Sequence, residues 1–300
     1  MTVIDLVGNT PLIHLSSVSQ ETGVPIFAKA EFLNPSGSVK DRAAKNMILD
    51  GISRGVLTKG KTIIDATSGN TGIAYAMLGS ALGFKVKIYL PANASIERKN
   101  IMKHYGAEIV ETDPLESSDG AYLAAKEEAE AHPETYFYPD QYNNPANYLA
   151  HYNGMANEIW EQTNGKITHF ICSMGTSGTF TGTSKKLKEL NPNIHTIAVQ
   201  PDSPMHGIEG TKHYASTIIP CFYDANLPEY FELVSTKNSY SMTRRLAKTE
   251  GIYAGISSGA NSQGAFQLAQ KIPENEKKNS LIVTILCDSG SRYVSDEFWG

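Results

Sequence analysis

The sequence predicts an α/β fold of two doubly wound domains built on mostly parallel sheets. Three observations carry this. Short β-branched runs alternate with longer helical ones, the alternation recurs in both halves of the 300 residues, and apolar runs end in loops of Gly, Ser, Thr and Asn. In the first half, "AAKNMILDGI" continues a helix that starts near Lys40. Residues 62–66 of "TIIDATSGNTG" read as a strand that enters a small-residue turn and then the helix "IAYAMLGSALG". "KVKIYLP" is the next strand, closed by Pro91, "SIERKNIMKHYG" is an amphipathic helix ending at Gly106, and "EIVET" is another strand. In the second half, "THFICSMGTSG" is strand then loop, "TFTGTSKKLKELNP" a helix, and "HTIAVQP" a strand. "SMTRRLAKTEG" and "NSQGAFQLAQKI" are helices, and "SLIVTILCDSGS" is a final strand with its loop. Parallel strands need helical crossovers, and the alternation supplies them. The Pro-, Asn- and Tyr-rich turn "PDQYNNPAN" at 139–147 separates two blocks, with a ligand cleft expected between them.

Four small-residue loops are expected at the carboxyl ends of strands: residues 67–72, 175–179, 257–261 and 288–291. Open α/β sheets bind ligands there, and tiny residues let a ligand approach backbone N–H groups. Composition narrows the classes. A hydrophobic share of 41% and a charged share of 19% describe a chain with a proper core. A net charge of -5 argues against a nucleic-acid partner. No stretch reaches the roughly 20 apolar residues of a membrane span, and Met1 to Pro11 lacks a secretory pattern, so a cytoplasmic protein is expected. The three cysteines, Cys172, Cys221 and Cys287, lie far apart with no CxxC pair, which suits reduced thiols. No HExxH occurs, no serine is read as sitting in a GxSxG elbow, and His206 and His213 lack a third ligand, so no metal is expected.

Three constellations could carry chemistry. Gly175-Thr176-Ser177-Gly178-Thr179 precedes a helix, where free amides and the dipole favour a phosphate; a capped turn fits the same letters. The loop matches neither a Walker A nor a GxGxxG pattern, so a nucleoside triphosphate or dinucleotide is not indicated. Lys40 follows the loop "NPSGSV" and opens a helix. The positive end of the dipole disfavours an ammonium there, which is what a Schiff-base lysine needs; position alone equally fits a solvated lysine. Residues 67–72, "TSGNTG", offer hydroxyls, an amide and N–H groups that suit a carboxylate, or again a capped turn.

In order along nearly the whole chain, "LVGNTPLIHL", "NPSGSVKDR", "TSGNTG", "GTSGT", "EGIYAGISSGA" and "CDSGSRYVS" resemble the cysteine synthase family, within the fold-type II, tryptophan synthase β-like pyridoxal-phosphate enzymes. The resemblance implies a smaller, mobile domain at 36–147 and a larger one made of 1–35 plus 148–300 that carries the phosphate loop. It makes Lys40 the residue that holds pyridoxal 5'-phosphate and moves the substrate α-proton. Gly175, Thr176, Ser177, Gly178 and Thr179 would hold the cofactor phosphate, Asn70 its phenolic oxygen, and Ser289 would face its pyridine nitrogen. Thr67, Ser68, Gly69 and Thr71, with Gln141, would bind the substrate α-carboxylate.

A neutral hydroxyl at the ring nitrogen does not enforce its protonation, so the ring is a weaker electron sink and β-elimination is favoured. The implied reaction is ping-pong β-replacement. O-acetyl-L-serine (or O-phosphoserine) reacts with sulfide (or thiosulfate) through α-aminoacrylate, giving L-cysteine (or S-sulfocysteine). Cys287 and the segment "GIEGTKHYASTIIPCFYD" resemble the B-type isozymes, in which Lys212 would be a second anion contact; a solvated loop lysine is the alternative. Val39 and Asp41-Arg42 fit this family and not threonine dehydratases. Cystathionine β-synthase or cysteine desulfhydrase activity would use the same fold. A catalytically dead scaffold would lack the lysine or the phosphate loop, and both are present. A homodimer and a serine acetyltransferase partner are implied by the resemblance alone.

Overall fold

The computed structural model describes every residue except Ser68, Thr217 and Gly300, and the backbone alone of residues 116–118. In chain order, β1 (Leu12–His14), α1 (Ser16–Thr22) and β2 (Ile26–Ala30) come first. Then follow α2 (Lys40–Ser53), β3 (Thr62–Ala66), α3 (Asn70–Leu82), β4 (Lys85–Pro91), α4 (Ile96–His104), β5 (Glu108–Thr112), α5 (Ser117–Ala131) and β6 (Tyr136–Phe137). The rest comprises α6 (Ala146–Ala150), α7 (Ala156–Gln162), β7 (His169–Ser173), α8 (Gly178–Leu190), β8 (His195–Pro201), β9 (Phe231–Val234), α9 (Thr236–Arg245), α10 (Ile256–Lys271) and β10 (Ile282–Leu286).

The chain divides into two compact units, residues 1–7 with 34–147, and residues 8–33 with 148–300. The smaller unit holds a four-stranded parallel sheet of order β5-β4-β3-β6. Its core gathers Met47 and Ile48 of α2, Ile63 of β3, Ile73 and Leu78 of α3, and Ile88 of β4, all at 0% exposure. The larger unit holds a six-stranded sheet of order β1-β2-β10-β7-β8-β9, parallel except for β1, which pairs antiparallel with β2. Strand β10 is buried along its whole length, as a central parallel strand covered on both faces must be, and its letters IVTIL are correspondingly apolar.

Two expectations are corrected. Residues 1–7, assigned from sequence to the larger domain, belong to the smaller unit: Val3, Ile4 and Val7 pack on its core, and Lys45 Nζ donates to the Ile4 carbonyl (2.9 Å). Residues 257–261 form no loop but the first turns of α10. Gly259 fits there because a side chain would collide with the Ser239 carbonyl and Thr243 of α9, so close helix packing explains the small residues that read as a loop. A further difference lies between α6 and α7, where residues His151–Met155 form a π-helical turn. There a Cβ on Gly182 of α8 would overlap the Tyr148 carbonyl, so the two backbones touch.

Candidate active site

In the smaller unit, Lys40 opens α2 and is half-buried; its amide donates to the Ser38 hydroxyl (3.3 Å). The loop before it is pinned by Asp41. This carboxylate, at 0% exposure, accepts from the Ser36 amide (2.7 Å) and the Ser36 hydroxyl. A carboxylate in the first turn also complements the helix dipole, so the loop and the lysine behind it have one held geometry.

Strand β3 ends in the Thr67 loop and passes into α3 at Asn70. Thr67 Oγ1 accepts from the Gly69 amide (3.0 Å). Gly69 sits at φ 153° and ψ −67°, a conformation that L side chains rarely adopt, and a Cβ there would overlap Arg98 Cδ. Thr71 Oγ1 donates to Gln141 Oε1 (3.2 Å), Gln141 Nε2 donates to the Ala66 carbonyl (2.8 Å), and Asn147 Nδ2 donates to the Gln141 carbonyl (2.6 Å). The structure therefore brings Gln141 onto the Thr67 loop although 70 residues separate it from Thr71. The pairing of β6 beside β3 does this, because it delivers the segment after Phe137 to the same sheet end. Asn70 is half-buried at the helix start; Ser68 lies outside the described residues.

In the larger unit, β7 and β10 are parallel neighbours, so their carboxyl-end loops lie side by side. The β7 loop holds Ser177 at φ 58°, strained for a non-glycine residue, and α8 starts at Gly178. Ser177 is 2% exposed and its Oγ has no hydrogen-bond partner among the described residues. The carbonyls of the loop are turned elsewhere: Met174 O accepts from the Lys212 amide (2.9 Å) and Gly175 O accepts from the Tyr214 hydroxyl (2.9 Å). The first amides of α8 have no acceptor within the helix, as at any helix start, and such amides suit an anion. Thr179 Oγ1 lies 3.4 Å from His151 Nε2 of the π turn. After β10, Ser289 is half-buried and caps the short 3-10 turn Gly290–Tyr293, its Oγ accepting from the Ser291 amide (3.2 Å). The neighbouring Asp288, at 0% exposure, accepts from the Tyr293 hydroxyl (2.7 Å).

Four residues escaped the sequence reading. Arg98 read as one more charge on an amphipathic helix, yet it is 4% exposed against Gly69. Tyr214 and His151 support the β7 loop from distant segments. Asp65 is 1% exposed on β3, and burial pushes its carboxyl up to about 7, against the pull of the Ala66 amide that donates to Oδ1 (2.8 Å). No local letter marks Arg98, Tyr214 and His151, which act through residues far away in the chain, and Asp65, although two residues from Thr67, is enclosed by groups from α3 and the segment after β6.

A family model described as "Pyridoxal-phosphate dependent enzyme" matches residues 3–288. Cysteine synthase of Aquifex aeolicus is 48% identical over 297 residues, covering 98% of this chain and 90% of that protein. Cysteine synthase B of Salmonella typhimurium is 38% identical over 302 residues, covering 100% and 96%. Among solved structures, the O-acetylserine dependent cystathionine beta-synthase from Helicobacter pylori superposes with a TM-score of 0.92 at 36% identity, covering 100% of this chain and 99% of that one. The chain belongs to the cysteine synthase family of pyridoxal-phosphate-dependent enzymes. Its own residues fit the cofactor: a buried, unpartnered hydroxyl at Ser177 stands where helix-start amides converge, which is what a phosphate group completes.

Proposed function

We propose that this enzyme replaces the β-acetoxy group of O-acetyl-L-serine with sulfide, giving L-cysteine. The observation that supports it most is the β7 loop, where the Ser177 hydroxyl is buried at the start of α8 with no hydrogen-bond partner among the described residues, in a chain that also places a lysine at the head of α2. Pyridoxal phosphate, when bound, supplies an aldehyde to capture the substrate amine and a ring to delocalise the electrons at its α-carbon.

The protein's part is binding, orientation and proton movement. The amides and hydroxyls of residues 175–179 hold the phosphate dianion. Thr67, Gly69 and Thr71, with Ser68 and Gln141, hold the substrate carboxylate through charge-assisted hydrogen bonds. Asn70 donates to the cofactor's phenolic oxygen, and the Ser289 hydroxyl faces the ring nitrogen without adding charge. Lys40 Nζ takes the α-proton as the β-group departs, and returns it after sulfide has added. Lys212, whose backbone is tied to Met174, stands on the segment that would meet a second anion such as the sulfonate of thiosulfate or the phosphate of O-phosphoserine.

The absorbance of the purified protein tests the reading. A cofactor band is expected that changes on adding O-acetyl-L-serine and is restored by sulfide. Borohydride should fix the cofactor on wild-type protein and not on Lys40→Ala, whose turnover falls by about a thousandfold or more. A colourless protein, or trapping on another lysine, would overturn it. The same family resemblance implies a cytoplasmic homodimer and a serine acetyltransferase partner. Light scattering, with and without added acetyltransferase, tests both; among the described residues no helix is long and apolar enough to cross a membrane.

A further inference from the structure

Behind the Thr67 loop lies a buried polar cluster that the reaction as described does not use. Asp65 stands at the end of β3, two residues before Thr67. Its Oδ1 accepts from the Ala66 amide and its Oδ2 is buried without a well-formed hydrogen bond among the described residues, while the nearby Tyr75 hydroxyl and Gln141 amide pull the carboxyl down against the larger effect of burial. The groups facing it are the Tyr75 side chain from α3, at 0% exposure, and Tyr138, Asp140, Gln141 and Tyr142 from the segment after β6. Tyr122 of α5 stacks edge-on against Tyr142 (5.2 Å between ring centres). Strand β4 meets Asp65 with Ile88, which is buried and apolar. These neighbours are neutral or acidic. Gln141 ties the cluster to the loop, since its amide donates to the Ala66 carbonyl while its Oε1 accepts from Thr71.

We infer that Asp65 is a positioning residue for the amino-acid carboxylate, making the capture of that anion depend on a proton held in the cluster behind the loop. The inference rests on the reading of Thr67, Thr71 and Gln141 as the carboxylate site. Two residues of strand span about 7 Å, so an ionised Asp65 sets a buried negative charge close behind a loop that must hold another. Salt screens buried charges little. The neutral acid removes that repulsion and gains an O–H donor for its unpartnered oxygen. By linkage, a bound carboxylate in turn favours the protonated acid, so amino-acid binding draws a proton from solvent onto Asp65. The burial of Asp65, which brings its titration to about 7, puts this exchange in the working range.

The experiment uses the holoenzyme and L-alanine, an amino acid with no β-leaving group. Calorimetry in buffers of different ionisation heat reads protons exchanged per alanine bound, from pH 6 to 8. Lys40, the cofactor and the ligand amine contribute alike in wild type and Asp65→Asn, so their difference isolates Asp65. Wild type should take up more protons than the variant, and its affinity should lose about tenfold more across this range than the variant's. Equal proton counts and equal pH profiles would overturn the inference. Should Asp65→Asn not fold, the infrared difference spectrum of wild type at pH 8 decides. A protonated-carboxyl band that grows on adding L-alanine supports the inference, and its absence overturns it. Gln141→Ala separates the two layers. Wild-type alanine affinity in that variant would defeat the carboxylate assignment itself. Weak binding there, with unchanged proton uptake in Asp65→Asn, would defeat only the role of Asp65.

Discussion

The Thr67 loop of the smaller unit and the Gly175 loop of the larger one are built alike: a parallel strand, a run of Gly, Ser and Thr, and the first turn of a helix. Their surroundings differ. The Thr67 loop is tied to its own unit, with Thr71 donating to Gln141 and Gln141 to the Ala66 carbonyl, and a buried acid stands behind it. The Gly175 loop carries a strained Ser177 with an unpartnered hydroxyl, and a segment bearing Lys212 and Tyr214 holds its carbonyls. A loop whose hydrogen bonds are largely made within the protein suits a ligand that comes and goes. A loop left with a buried, unmatched donor suits a resident anion, because an empty state leaves a polar group unsatisfied.

Four measurements break or sharpen this contrast. The largest effect concerns stability against pH. Between about pH 4 and 7 the folded protein keeps a proton on Asp65 that the unfolded chain releases. Stability therefore falls as pH rises through this window, by about 4 kcal/mol. Chemical denaturation of wild type and Asp65→Asn across this range should show the slope in the first and a flatter profile in the second.

Next come paired substitutions in the two loops. Ser177→Val places a β-branched residue at φ 58° and removes the hydroxyl, so cofactor affinity by equilibrium dialysis should fall about 10–100-fold. Gln141→Ala should leave that affinity in place and raise KM for O-acetyl-L-serine about 10–100-fold. Crossed results, with Gln141→Ala losing cofactor, would erase the distinction between the loops. Gly182→Ala, one turn into α8, should cost about 1–3 kcal/mol in denaturant, because its Cβ meets the Tyr148 carbonyl. The smallest effect is at Lys212→Ala, expected to weaken use of thiosulfate or O-phosphoserine about fivefold or less while sparing sulfide with O-acetyl-L-serine. Equal losses for all donors would leave Lys212, whose Nζ is buried, with a structural role alone.

Much of the fold was legible because period and punctuation are local. The letters of β3, β4, β5, β7 and β8 stand out as β-branched runs, and Lys40 does open a helix, as its place after a Pro/Gly loop predicts. Strands β1, β2, β6 and β9 were not read. They are short, two to five residues, and gain their identity from the neighbour they pair with. The π turn at His151–Met155 has no signature of its own, and it lies where the backbone of α8 comes close at Gly182.

The chain's letters alone give its class and the rhythm of most of its strands, and they offer two small-residue loops that suit an anion. Those follow from nearest-neighbour chemistry: side-chain period, helix starts and the need of anions for N–H donors. Folding in three dimensions decides the rest. It buries Asp65 and Arg98, carries Gln141 across 70 residues to Thr71, and leaves the Ser177 hydroxyl without a partner among the described residues. Burial and pairing are properties of what surrounds a residue, and the surroundings come from strands and helices distant in sequence.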